Sequence, residues 1–137
     1  MTTARVLVVE DNQDNLDLLT LWLRDKYRVF SYRCADDALT ALETAKPNLL
    51  LLDIGMGPID GVGCLKAIRS RPGYGSIPAI ALTGYARDSE RVAFQAAGFQ
   101  AVLTKPFLDE DLLAAITAAL APPGDRGADQ SSVTTAA

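Results

Sequence analysis

The sequence predicts a doubly wound α/β domain, an open parallel sheet with helices on both faces. Three features of the 137 residues carry that expectation: five short apolar runs, a segment of helical character after each, and connections of only a few residues between them. Near-continuous apolar strands are buried on both faces, and parallel neighbours need a crossover connection, which the helices supply.

The first run, RVLVV (5–9), is β-branched and leucine-rich and ends in an acidic turn, as a doubly buried strand leading to a sheet edge does. NLDLLTLWLRDK (15–26) then spaces Leu16, Leu19 and Leu23 three and four apart, one apolar stripe down a helix. YRVFSYR (27–33) reads as a short strand, and DDALTALETAK (36–46) as a helix stopped by Pro47. Strand three is NLLLLD (48–53). A Gly/Pro loop (55–61), a helix over GCLKAIRS (63–70) and a glycine-rich turn at 72–76 lead to the strand PAIALT (78–83). A helix over 88–97 closes on Gly98, AVLT (101–104) is the fifth strand, and DEDLLAAITAAL (109–120) is the last helix. From Pro122 onward the chain has too few large apolar side chains to offset the entropy of ordering. Residues 2–121 are therefore the expected domain and 122–137 a disordered tail or linker stub.

Composition narrows the function. A hydrophobic fraction of 49%, a charged fraction of 22% and a net charge of −4 describe one ordinary water-soluble domain, with no basic footprint for nucleic acid or an anionic membrane. No apolar run approaches the roughly 20 residues of a spanning helix, and the start turns acidic too early for a signal peptide, so a cytoplasmic location is expected. Cys34 and Cys64 make neither a disulfide framework nor a metal pair. The absence of histidine removes triads, imidazole metal sites and any phosphohistidine on this chain.

In LLLLDIGMGPIDG (49–61) four leucines deliver one carboxylate, Asp53, to the end of a buried strand. Ligands of open α/β sheets bind outside the carboxyl ends of the strands, where the winding direction reverses. That edge receives Glu10 and Asp11 from strand one, Asp53 from strand three, Thr83 from strand four and Lys105, followed by Pro106, from strand five. Singly, an acid after a strand reads as a helix cap and Lys-Pro as a turn. Together they form a site. Carboxylates 4 Å apart repel by about 4 kcal/mol per pair at an effective dielectric near 20. Lys105 can offset one charge, and a hard divalent cation the others. Mg²⁺, which keeps several waters and takes one or two carboxylates, suits so sparse a donor set better than Ca²⁺. Asp53 then becomes a nucleophile toward phosphorus, with the cation, the Lys105 ammonium and the Thr83 hydroxyl around the transferred oxygens.

VLVVEDN, LLLLDIGM, ALTGYA and LTKPF, in this order and at these separations, resemble the receiver domain of two-component response regulators over residues 4 to about 121. The resemblance implies a flavodoxin-like sheet of order 2-1-3-4-5 and Asp53 as phosphoacceptor. It also implies Mg²⁺ (or Mn²⁺) held by Asp11, Asp53 and the Gly55 carbonyl, with Glu10 acting through water. Thr83 and Lys105 become the phosphoryl-binding switch residues, and the Lys105–Pro106 bond is expected to be cis. The phosphoryl donor is a histidine kinase or a histidine phosphotransfer protein, and EDNQDN with ALTGYA is most similar to receivers associated with hybrid histidine kinases. Such a chain is a phosphoacceptor rather than a conventional enzyme, with slow self-phosphorylation from small donors and slow self-dephosphorylation. Two positions depart from the pattern: Val102 stands where receivers usually carry a switching Tyr or Phe, and Gly57-Pro58 stand where proline usually comes one residue earlier.

Three other readings fit less well. A mononucleotide binder needs a Ser/Thr/Gly phosphate loop where EDNQDN offers carboxylates. An aspartyl phosphohydrolase would carry a second acid at position 55, which is glycine. A degenerate receiver, serving only as a docking module, would normally have lost Asp53, Asp11 or Lys105, and all three are present. Finally, the first helix buries Leu16, Leu19 and Leu23, which puts Trp22 on the margin of the stripe and Leu18 about a quarter-turn away. In receivers this helix resembles the surface that meets the donor, so Leu18 and Trp22 are the expected partner-docking residues.

Overall fold

The computed structural model describes residues 3–54, 61–84 and 88–121. Gly55, Gly57, Pro58 and the expected tail at 122–137 lie outside them. The elements alternate as β1 (Arg5–Val9), α1 (Gln13–Leu23), β2 (Arg28–Tyr32), α2 (Ala35–Ala45), β3 (Leu49–Asp53), α3 (Gly61–Arg69), β4 (Ala79–Thr83), α4 (Asp88–Ala97), β5 (Ala101–Thr104) and α5 (Asp109–Leu120). All ladders are parallel and the strand order is β2-β1-β3-β4-β5. Winding thus reverses between β1 and β3, the position at which such sheets bind ligands.

The central strands alternate their side chains between two cores. Val6, Val8, Leu49, Leu51, Ile80 and Leu82 face α1 and α5. Leu7, Val9, Leu50, Leu52, Ala79 and Ala81 face the other side, where α2 and α3 supply Ala38, Leu42, Leu65 and Ile68. Both faces of β3 and β4 are fully covered, which is why their sequence shows no polar alternation.

Helix boundaries shift where a cap, rather than apolar periodicity, sets them. α1 starts at Gln13, ahead of the expected residue 15, because the Asn12 side chain accepts a hydrogen bond from the Asn15 N–H at 3.0 Å. It closes at Leu23, whose carbonyl then takes the Lys26 and Tyr27 N–H groups in a turn. α2 ends at Ala45 with Lys46 in the left-handed region at φ 45°. Among the described residues, no helix is long and apolar enough to cross a membrane.

Candidate functional site

The parallel register brings the strand ends to one edge. Val9 pairs with Leu52, Asp53 with Leu82, and Thr83 with Thr104, so Glu10, Asp53, Thr83 and Lys105 succeed one another across the sheet. Glu10 is 1% exposed and Asp53 6%. Burial of this depth is tolerated because each acid has a cationic partner: the Lys105 ammonium donates to Glu10 Oε1 at 2.8 Å and to Asp53 Oδ1 at 3.1 Å. One lysine therefore bridges two acids, where the sequence suggested that it would offset one. Glu10 also organises the chain on both sides. Its N–H donates to the Tyr32 carbonyl at 3.1 Å, and its Oε2 accepts from the Asn12 N–H at 3.2 Å.

Asp11 completes the cluster from the solvent side. One carboxylate oxygen from each of Glu10, Asp11 and Asp53 lies within 4.8 Å of the other two. Three carboxylates against one ammonium leave an excess of negative charge, and the donors are all hard oxygens, a set that fits Mg²⁺ or Mn²⁺. Burial, followed by the adjoining Glu10 carboxylate, pushes the Asp53 carboxyl up to about 7 against the pull of Lys105. Lys105 moves up as well, because its hydrogen bonds to Glu10 and Asp53 outweigh the opposing effect of burial.

Thr83 is buried, and its carbonyl accepts the Lys105 N–H at 2.7 Å. The ends of β4 and β5 are thus tied by main chain as well as by register. The Lys105–Pro106 peptide bond is cis. Val102 is buried in the core on the α2/α3 face. The Arg91 guanidinium of α4 donates beside it to the Val102 carbonyl at 3.3 Å and to Thr104 Oγ1 at 2.9 Å.

A groove of about 380 Å³ opens next to the cluster, with Glu10 and Lys105 at one end and Leu18, Trp22, Pro106 and Phe107 along its walls. Leu18 is 43% exposed. Trp22 is half-buried and meets the Phe107 ring edge-on at 6.2 Å, so part of its surface serves the α1/α5 core rather than solvent. Sequence reasoning missed Phe107 in this wall. It also missed Arg33, whose Nε and Nη2 donate to the Asp11 carbonyl at 3.2 and 3.1 Å. The only signal for Arg33 was its position at the end of the second strand, on the same edge as the acids.

Known proteins place this arrangement. The family model of the response regulator receiver domain matches residues 6–117. An uncharacterized 14.6 kDa protein from the sodA1 3′ region of Leptolyngbya boryana is 40% identical over 102 residues, which are 74% of this chain and 78% of that protein. The regulatory protein VanR of Enterococcus faecium is 31% identical over 85% of this chain and 49% of its own length, and the chain likewise spans about half of the transcriptional regulator KdpE of Escherichia coli. Among solved structures, the chemotaxis protein CheY4 of Vibrio cholerae superimposes with a TM-score of 0.82 at 27% identity, covering 87% of this chain and all of that one. The receiver domain of the sensor histidine kinase PA1611 of Pseudomonas aeruginosa, which has a magnesium ion coordinated in its active-site cleft, gives 0.76 at 28% identity, covering 85% and 98%.

Proposed function

The chain belongs to the response regulator receiver domain family, and from that premise we propose that Asp53 is its phosphoacceptor, with Mg²⁺ (or Mn²⁺) held by Asp11 and Asp53 and assisted by Glu10. Receiver domains are the phosphoacceptor signalling modules of two-component systems, and this chain is one of them. The observation that carries the assignment of residues is the single buried carboxylate at the mouth of β3, at the switch point, within reach of both Lys105 and the acidic cluster.

The donor is a phosphohistidine on a histidine kinase or a histidine phosphotransfer protein, which this histidine-free chain meets as acceptor only. An Asp53 oxygen attacks phosphorus. The new O–P bond forms as the P–N bond breaks, and the imidazole nitrogen leaves with its electron pair and takes up a proton. The buried leucines of β3 hold Asp53 in line, which saves the reaction much of its orientational cost. Lys105, already within hydrogen-bond distance of Asp53, follows the charge onto the phosphoryl oxygens, and the Thr83 hydroxyl donates to another of them. A cation held by Asp11 and Asp53 would neutralise negative charge as it builds at the acceptor. Loss of the Lys105–Asp53 pairing on phosphorylation, passed along the Lys105 N–H to the Thr83 carbonyl, is the route by which β4 and β5 respond.

Incubation with acetyl phosphate and Mg²⁺ followed by intact-protein mass spectrometry tests the assignment without a cognate partner. One phosphoryl group is expected on the wild type and none on Asp53→Asn. Phosphorylation of the variant, or an unmodified wild type with both acetyl phosphate and beryllofluoride failing to engage it, rejects Asp53.

A further inference from the structure

We propose that Arg33 is a positioning residue of the acidic site: from the end of β2 it fixes the Asp11 peptide, and through it the carboxylate that Asp11 brings to the cluster. The proposal rests on reading Glu10, Asp11 and Asp53 as a metal site.

The three acids are not held alike. Glu10 and Asp53 are buried and share the Lys105 ammonium. Asp11 is exposed, and no hydrogen bond or ion pair to another described residue orients its carboxylate. With no such partner, the reach of that carboxylate depends on where the backbone holds its Cα and aims its Cα–Cβ bond. The Asp11 peptide lies between two ladders and belongs to neither. β1 ends at Val9, and the first helical acceptor of α1 is the Asn12 carbonyl, which takes the Leu16 N–H at 3.0 Å. Without Arg33 the Asp11 carbonyl would be left to solvent.

Arg33 removes that freedom. Two N–H groups of one guanidinium converge on the Asp11 oxygen at 3.2 and 3.1 Å, charge-assisted bonds from a rigid planar fork. The base of the fork is fixed too, because the Glu10 N–H donates to the Tyr32 carbonyl and keeps β1 and β2 paired up to the site. The contact spans 22 residues of sequence, so it ties the metal-binding turn to a strand that contributes no ligand. Outer partners of this kind commonly change metal affinity by 10–100-fold when removed.

Charge alone predicts the opposite. A cation beside a cation site repels Mg²⁺, so if Arg33 acted only through its field, its removal would tighten binding. Calorimetric Mg²⁺ titration of the whole chain separates the two. The dissociation constant should rise about tenfold in Arg33→Ala, and by less in Arg33→Lys, which keeps the charge but not the planar fork. The metal-free urea midpoint should not move in either variant, since Arg33 is exposed. In the metal-free protein the amides of residues 11–13 should exchange faster in Arg33→Ala, a change that a purely electrostatic role does not produce. Equal or tighter Mg²⁺ binding by Arg33→Ala, alongside weakened binding by Asp11→Ala, overturns the role of Arg33 and leaves the metal site standing. Unchanged binding by Asp11→Ala rejects the metal site, and the proposal with it.

Discussion

Asp53 combines two demands that oppose each other. Phosphoryl transfer needs an ionised, fixed carboxylate, whereas burial beside Glu10 raises its carboxyl to about 7 from an ordinary 3.8. A group that binds its proton more tightly in the folded state contributes stability that is fully present below the unfolded value and is lost as pH rises through the folded one. The metal-free domain should therefore lose stability between about pH 4 and pH 7, through this group, and level off above. Asp53→Asn removes the titration and one repelling charge while leaving Lys105 its 2.8 Å contact to Glu10. The variant is expected to be at least as stable as the wild type at pH 8 without metal, to show a shallower decline across that window, and to take up no phosphoryl group. Urea melts at pH 5 and pH 8 measure both. A variant clearly weaker at pH 8 would mean that the attraction of Asp53 to Lys105 outweighs its repulsion from the acids. Arg33 shows what residue-level reading of a sequence loses. Its partner is a main-chain carbonyl, and carbonyls carry no side-chain signature.

At the scale of elements, the strands and the starts of α4 and α5 were legible, and the starts of α1 and α3 were not. Runs such as RVLVV and LLLLD end where their ladders end, because burial on both faces makes apolar sequence and strand coincide, and AVLT ends with its ladder as a half-buried edge strand. α1 and α3 begin earlier than their apolar spacing suggests, α1 because Asn12 caps it and α3 because it opens on Gly61. That glycine has a steric reason: a Cβ there would stand 2.6 Å from the Asp53 carbonyl oxygen and 2.7 Å from Ile54 Cδ1. Backbone cannot step aside as a side-chain tip can. Gly61→Ala should cost about 1–3 kcal/mol of stability and slow phosphorylation by acetyl phosphate, since relief comes only by moving α3 or the acceptor strand. A substitution that is neutral in both assays would show that the start of α3 shifts freely. α1 carries the other test at this scale. Leu18 stands exposed at the rim of the groove that leads to Lys105, whereas Trp22 is partly spent on Phe107. Leu18→Asp is accordingly expected to slow phosphotransfer from the cognate histidine donor at least tenfold, the scale of losing one well-packed apolar contact, with acetyl phosphate labelling near normal. Equal loss with both donors would indicate misfolding, and no loss with either would place docking elsewhere.

The whole molecule explains why so much of the site could be read in advance. A parallel sheet sends every strand's carboxyl end to one edge, so the polar residues that close LVV, LLLL, IAL and VLT had to gather there once the alternation was recognised. What order along the chain does not encode is distance. That Lys105 spans both Glu10 and Asp53, and that Arg91 of α4 reaches past Val102 to Thr104, follow from strand stagger and helix placement. If the gathered acids hold a cation, as proposed, the stability of the entire domain responds to one small ion. A ligand bound by the folded state alone stabilises by RT ln(1 + [L]/Kd), about 1.4 kcal/mol at ten times Kd. For a domain of this size that corresponds to a rise of roughly 5 °C in Tm. The gain should be larger at pH 8 than at pH 5.5, because near pH 5.5 the raised Asp53 carboxyl holds its proton and the ion must displace it. It should vanish in Asp11→Ala, which removes the solvent-side carboxylate without disturbing the Lys105 pairs. Thermal melts at both pH values, with Mg²⁺ and with excess chelator, measure each part. An unchanged Tm at saturating Mg²⁺, or an undiminished rise in Asp11→Ala, would show that the edge of the sheet is acidic for some reason other than holding a metal.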